Sequence, residues 1–195
     1  MVSKRLIVLT AIIVLAIVAS GLIYALSRPQ MQESAAQAMV LRANEIGTGW
    51  TGQEGHEYFS YPDENSGLEW VYLYYNDTGN LGIDIHSDFT VFITTEACNQ
   101  AYEGDNSSYY AYKDAINYTT IPIGDKAIYL ESNKPVLEGM GYPACMFMRG
   151  NVLCIMWVYP PGPGPFAWQK NVLLDVVQLQ LEKIDQYLAQ HPGAN

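Results

Sequence analysis

The densest group of metal-ligating side chains in the sequence is Asp84-x-His86-x-Asp88. Alternate residues of a strand share a face, so a strand here presents two carboxylates and one imidazole together. If Tyr75 pairs with Gly82 across the loop at 76–81, Glu69 falls opposite Asp88. Opposed carboxylates repel, and a bound cation would relieve the clash. Zn²⁺ would use the imidazole and carboxylates, Ca²⁺ the carboxylates alone. Asp84, His86, Asp88 and Glu69 are therefore a candidate site for a divalent cation. Same-face neighbours lie roughly 7 Å apart, wider than one ion closes, so the plain alternative is a solvated outer face. Other chemistry finds little support. No serine sits in a Gly-x-Ser-x-Gly elbow, no glycine-rich phosphate loop is present, and His56, His86 and His191 are the only imidazoles.

Three cysteines are candidates for a disulfide: Cys98, Cys145 and Cys154. A hairpin turn at Gly150-Asn151 places Cys145 and Cys154 on one face but diagonal, roughly 7 Å apart, which is poor bridging geometry. A turn at Arg149-Gly150 would place them opposite. Cys98 reaching one of them from a helix is a further arrangement, and buried free thiols are the alternative to all of these. The sequons Asn76-Asp77-Thr78, Asn106-Ser107-Ser108 and Asn117-Tyr118-Thr119 make Asn76, Asn106 and Asn117 candidate glycosylation sites in turn-like surroundings. Among 15 tyrosines, Tyr109, Tyr110, Tyr112 and Tyr159 are candidates for an amphipathic recognition surface.

The elements that must position these residues follow from periodicity. Residues 31–43 read as a helix, and 56–61 as a short first strand. Leu68 to Tyr75 and Ile83 to Ile93 alternate apolar and polar residues with a period of two, which predicts a hairpin with one dry face. In the register above, Tyr72 faces Ile85 and Tyr74 faces Ile83. Thr94-Thr95-Glu96 resembles a capped helix start. That helix is expected to run to about Tyr102, with 109–116 resuming it after a break at Gly104 to Ser108. Strands are expected near 117–121, 126–131, 143–149 and 152–159. The run Tyr-Pro-Pro-Gly-Pro-Gly-Pro at 159–165 excludes regular helix or inner strand. It reads as a rigid connector or the rim of a pocket. Residues 167–190 hold no Gly or Pro and carry Leu173, Val177, Leu181, Ile184 and Leu188 on one helical stripe.

Length and charge bound the whole. The 195 residues suit one domain and an appendage, and 49% hydrophobic residues exclude general disorder. Residues 6–26 are uncharged and long enough to span a bilayer as a helix, with Lys4 and Arg5 before them. This segment, 1–28, is expected to hold the domain 29–195 outside the cytoplasm as a single-pass anchor. Cleavage before Gly21, giving a secreted domain, is the alternative. Lys4, Arg5 and Arg28 lie in the first 28 residues, leaving 7 basic against 20 acidic side chains, a net of −13. Such a balance excludes nucleic acid as a partner.

Three segments, LRANEIGTGW (41–50), IPIGDKAIY (121–129) and MFMRGNVLCIMWVY (146–159) before a long terminal helix, resemble extracytoplasmic α+β domains of bacterial and archaeal lipoproteins and of membrane kinase sensor domains, with a PsbP-like architecture. The resemblance implies a binding or accessory role and carries no functional residues across. Taken together, the expectation is an α+β protein: an N-terminal transmembrane helix, then an antiparallel sheet of five to seven strands packed against two or three helices. The expected role is non-catalytic binding of a small ligand or envelope protein. A metal-dependent or hydrolytic enzyme using Asp84, His86 and Asp88, and a structural envelope component, are the alternatives.

Overall fold

The computed structural model describes residues 17–18, 35–57, 67–76, 82–114, 116–132, 143–159 and 167–192. The expected membrane segment and the proline run lie outside the described residues, apart from Ile17, Val18 and Tyr159. Ile17 and Val18 are helical and exposed. Among the described residues no helix is long and apolar enough to cross a membrane.

Seven strands form one antiparallel sheet: β1 (Trp50–Glu57), β2 (Gly67–Asn76), β3 (Ile83–Phe92), β4 (Ile116–Thr120), β5 (Lys126–Ser132), β6 (Ala144–Arg149) and β7 (Val152–Tyr159). Their spatial order is β1-β2-β3-β7-β6-β5-β4. Two meanders, β1 to β3 and β4 to β7, thus meet at the β3–β7 pairing. Three helices complete the described elements: α1 (Ala43–Ile46), α2 (Thr95–Tyr110) and α3 (Ala167–Gln190). A further helical stretch at 35–39 precedes α1. The helix expected over 31–43 is therefore interrupted at 40–42, and the first strand starts at Trp50.

Burial explains the sequence patterns. The 35–46 segment and α3 cover one face of the sheet, with Met39, Tyr74, Ile85, Phe89, Phe147, Cys154, Leu173 and Ile184 in that core. The α2 helix covers part of the other face through Ala97, Cys98 and Tyr102 against Ile128, Met146 and Leu153. Strand β6 is thus dry on both faces and reads as an unbroken apolar run. Strand β3 alternates buried and half-buried residues, because its second face lies partly beyond α2. The hydroxyl of Thr94 caps α2, accepting from the Ala97 N–H at 3.1 Å. The helix continues through Gly104 to Tyr110 without the expected break. Gly104 is exposed, where a glycine lowers propensity by only about 1 kcal/mol, while Asp105 and Asn106 are half-buried. Packing by Tyr102 and Tyr109 on either side carries the helix across.

The hairpin β2–β3 keeps the expected dry face but slips by two residues. Tyr72 faces Ser87, Tyr74 faces Ile85, and Glu69 faces Thr90 rather than Asp88. The register therefore does not pair Glu69 with Asp88, the pairing that motivated a cation.

The three segments quoted above all attach to α3. Gln180 is fully buried. Its Oε1 accepts from the Leu41 N–H at 2.8 Å and its Nε2 donates to the Met39 carbonyl at 2.7 Å. Tyr74 donates its hydroxyl to the Leu41 carbonyl at 2.7 Å. Glu45 accepts from the Arg42 N–H and pairs with Lys183. Arg149 donates to Asp185 at 2.6 Å and to Asp125 at 2.7 Å, and Asp125 also accepts from the Gly150 N–H. Asp125 and the hairpin turn at Gly150, whose φ is 58°, are thereby held together.

These contacts have a pH signature. Burial works to raise the Glu45 pKa, but Lys183 and the Arg42 N–H outweigh it and hold the carboxyl below 4.5. Glu103 is lowered by its hydrogen bond from Lys126. Both folded values lie below the unfolded ones, so the stabilisation is complete above the unfolded pKa and is lost as pH falls through the folded one. The unfolding temperature is expected to stay level from pH 7 to 5 and fall below about pH 4.5. Glu45→Gln is expected to flatten part of that fall.

Candidate ligand-binding cleft at the sheet edge

A cleft of about 460 Å³ straddles the edge strand β4. Because successive residues of a strand alternate faces, β4 contributes to both of its sides. Ile116 and Tyr118 lie on the α2 side with Leu130, while Asn117 and Thr119 pair with Glu131 and Tyr129 on the α3 side. Tyr110 and Lys113 come from the C-terminal end of α2, and Lys170 from the first turn of α3.

The aromatic walls are fixed by their neighbours. Tyr118 donates its hydroxyl to Asn106, and its ring meets Tyr110 edge-on at 5.7 Å. Lys113 lies 4.6 Å from the centroid of the Tyr110 ring and donates to its hydroxyl at 3.3 Å. Lys170 lies 4.4 Å from the centroid of the Tyr129 ring. Tyr129 is 3% exposed, and its hydroxyl is buried with no hydrogen-bond partner among the described residues. Burial first, then the charge of Glu131, raises its pKa, so the hydroxyl stays protonated and able to donate.

The cleft also collects cations. Among the described residues Lys126, Arg149 and Lys183 each have a carboxylate partner. Lys113 and Lys170 have none within 4.0 Å among the described residues, and both line the cleft. Each ammonium rests instead on a tyrosine face, a contact worth about 0.5–1 kcal/mol at exposed sites. Such a contact is readily exchanged for a ligand anion.

The residues singled out from sequence fall in different places. Tyr110 lines the cleft and is 52% exposed. Tyr112 is exposed, and Tyr109 packs into the α2-side core. The Tyr159 side chain is outside what the structure describes, although its backbone pairs with Asp84. Asp84, His86 and Asp88 share a face of β3, but His86 sits opposite Leu73 and Trp157 and stacks on the Trp157 ring at 5.5 Å. Burial lowers its pKa against the opposing pull of Asp84. Among the described residues no three His, Cys, Asp or Glu side chains gather as a metal set. A Zn²⁺-dependent rise in melting temperature that His86→Ala removes is the result that would restore that site.

All three cysteines are free and buried, so none of the candidate bridges forms. Cys145 faces Met156 and Cys154 faces Phe147, the diagonal placement of a Gly150-Asn151 turn. Cys98 belongs to the core on the opposite side of the sheet, which separates it from both. Burial pushes the Cys98 and Cys145 thiols up to about 12, and raises Cys154 as well. A thiolate-directed reagent is therefore expected to label none of the three in the native protein and all three once it is unfolded. The sequon asparagines lie in regular structure rather than turns: Asn76 ends β2, Asn106 lies within α2, and Asn117 is exposed on β4.

Sequence reasoning missed Tyr118, Tyr129, Lys113, Lys170 and Glu131. The available signal was the clustering of Tyr110 and Lys113 just before a short strand. Comparison with known proteins adds nothing to this geometry: no family model, no curated protein and no solved structure matches the chain. The family resemblance read from its three segments therefore carries no argument about function.

Proposed function

We propose that the protein is a non-catalytic binding domain, tethered to the membrane through residues 6–26 and facing the outside of the cell. Its ligand is a small polar molecule taken in the cleft at β4. The observation that carries this reading is the buried, unpartnered hydroxyl of Tyr129 in a cleft flanked by two lysines without carboxylate partners among the described residues. A buried polar group without a partner costs about 1–3 kcal/mol, and a ligand oxygen at that position would offset it. The volume lies within the range of small-molecule sites, about 300–1,000 Å³. The lining supplies hydrogen bonds, cations and aromatic faces, and the described surroundings hold no nucleophile paired with a base, which favours binding over turnover.

The location rests on the uncharged run at 6–26 behind Lys4 and Arg5. The binding function is tested by thermal unfolding of the full chain in detergent against a panel of small polar solutes: sugars, amino acids, organic acids and polyols. A stabilising solute is expected to lose its effect in Tyr110→Ala and Lys170→Met. Stabilisation that survives both variants places binding elsewhere and defeats the reading.

A further inference from the structure

We propose that β4 is the docking edge for an extended acidic peptide, which joins the sheet as a further strand. The proposal goes beyond the small-molecule role above, because its main contacts are backbone hydrogen bonds along the open side of β4. That side can be read from the hydrogen bonding. β4 ends the order of the described strands, and Asn117, Thr119 and Thr120 are exposed. The Ile121 N–H donates to the Ala127 carbonyl of β5 at 3.2 Å. Backbone groups alternate in direction along a strand, so those of Asn117 and Thr119 also turn toward β5. Those of Tyr118 and Thr120 turn away from it, and no described strand meets them there. At Ile116 the outward N–H is already taken by the Tyr112 carbonyl at 3.0 Å. An added strand therefore finds a donor and an acceptor at each of Tyr118 and Thr120. Sheet edges are commonly guarded by charge, proline or a bulge. The sequence of β4, Ile-Asn-Tyr-Thr-Thr, has no charge and no proline, and its register with β5 is unbroken. The opposite edge, β1, carries two glutamates and two glycines. Apart from Ile17 and Val18, the large apolar side chains exposed among the described residues are Tyr110 and Tyr112, just before β4.

Charge selects the partner. Two lysines flank the edge, one on each side of the sheet. Lys113 rests on Tyr110 on the α2 side, and Lys170 rests on Tyr129 on the α3 side. Neither has a carboxylate partner among the described residues, in a protein with 20 acidic and 10 basic residues. Successive side chains of a strand alternate faces, so two neighbouring acids in an added strand reach both lysines. An acid opposite Thr119 falls on the side of Lys170, and one opposite Tyr118 on the side of Lys113. Glu131 pairs with Asn117 on the α3 side, and its charge disfavours a further acid there. A second copy of this chain is the poorer match, since its own β4 offers no carboxylate to either lysine. Recognition thus divides as strand addition usually does, with affinity from the main chain and specificity from alternate side chains.

The test is fluorescence anisotropy of the full chain in nonionic detergent at low ionic strength, with a fluorescein-labelled peptide, Thr-Val-Thr-Glu-Glu-Thr-Val-Thr. Its twin carries glutamine in place of both glutamates. The acidic peptide is expected to bind roughly 2- to 30-fold more tightly, the range for two exposed ion pairs. Lys113→Gln/Lys170→Gln is expected to remove that difference. Thr120→Pro deletes an outward N–H where an edge strand tolerates proline. It is expected to weaken the acidic peptide by roughly 2- to 10-fold, one hydrogen bond. The acidic peptide N-methylated at its central residues is expected not to bind, a readout that leaves the protein untouched. Equal binding of the two peptides, full affinity after N-methylation or in Thr120→Pro, or no binding at all overturns the proposal. A dimer of the free chain in light scattering that Thr120→Pro dissolves gives the edge to a second copy and overturns it as well. The small-molecule reading is decided separately, by the solute panel.

Discussion

Replacing Gln180 by leucine is expected to destabilise the fold by about 2–5 kcal/mol, although leucine suits a buried helix position. Gln180 makes no contact that a hydrophobic count would value. Its amide satisfies the Leu41 N–H and the Met39 carbonyl, the two backbone groups exposed where the helix at 35–39 breaks before α1. Leucine would leave both buried and unpaired, each costing about 1–3 kcal/mol. For a chain of this size that lowers the melting temperature by roughly 5–15 °C. Gln178→Leu, two residues away on the exposed face of α3, is expected to change stability by about 0.5 kcal/mol or less. Thermal unfolding followed by near-ultraviolet circular dichroism reads both. Equal effects of the two variants would mean that the 39–41 segment does not depend on α3.

The second large effect separates two glycines. Gly124 has a φ of 60°, and a Cβ there would overlap the carbonyl oxygen of Met148. Alanine is strained in this left-handed conformation by about 1–2 kcal/mol, and displacement of the Met148 carbonyl adds about 1–3 kcal/mol. The same carbonyl accepts from the Asp125 N–H at 2.8 Å, so the displacement also loosens Asp125 from Arg149 and Gly150. Gly124→Ala is thus expected to cost about 2–5 kcal/mol. Gly104 lies in α2, where a Cβ meets nothing within 4 Å. Gly104→Ala is expected to stabilise by about 0.5–1 kcal/mol through helix propensity alone. The opposite signs are the readout. A destabilising Gly104→Ala would show that α2 needs freedom at that position, against the continuous helix described here.

These two sites also show what could be read from sequence. The segment IPIGDKAIY stands out in the sequence as a pattern, but its reason lies 24 residues further on, where Asp125 meets Arg149. The strands β6 and β7 were legible as short apolar runs on either side of the Gly150-Asn151 turn, and the helix α3 by the single apolar stripe it keeps from end to end. The β2–β3 register was legible only in part. Alternation fixes which face a residue occupies, and a slip by two preserves that face. The dry face therefore survived while the pairing of Glu69 with Asp88, on which the cation site depended, did not. The break in α2 failed for another reason: Gly104 to Ser108 disfavour helix locally, and tertiary packing overrides local propensity. The cleft was the least legible feature. It is assembled from the end of α2, β4, β5 and α3, so no window of sequence holds it. Of its lining, sequence singles out Tyr110, as part of an aromatic recognition surface, and Asn117, as a glycosylation candidate, neither for the partners it has here.

The split of the tyrosines is instructive in the same way. Tyr109, Tyr110 and Tyr112 are neighbours in sequence, but α2 ends at Tyr110. One of the three enters the core, one lines the cleft and one faces outward. A cluster in sequence becomes a surface in space only when the local period puts its members on one side.

The measurement that bears most directly on the binding role is amide chemical-shift mapping of the full chain in detergent, titrated with the most stabilising solute of the panel. Perturbations are expected to concentrate at Tyr118, Thr119, Tyr129, Glu131 and Lys170, on the two sides of β4. Perturbations centred on Asp84, His86 and Asp88 instead, or none anywhere at saturating solute, would contradict a binding site at the sheet edge.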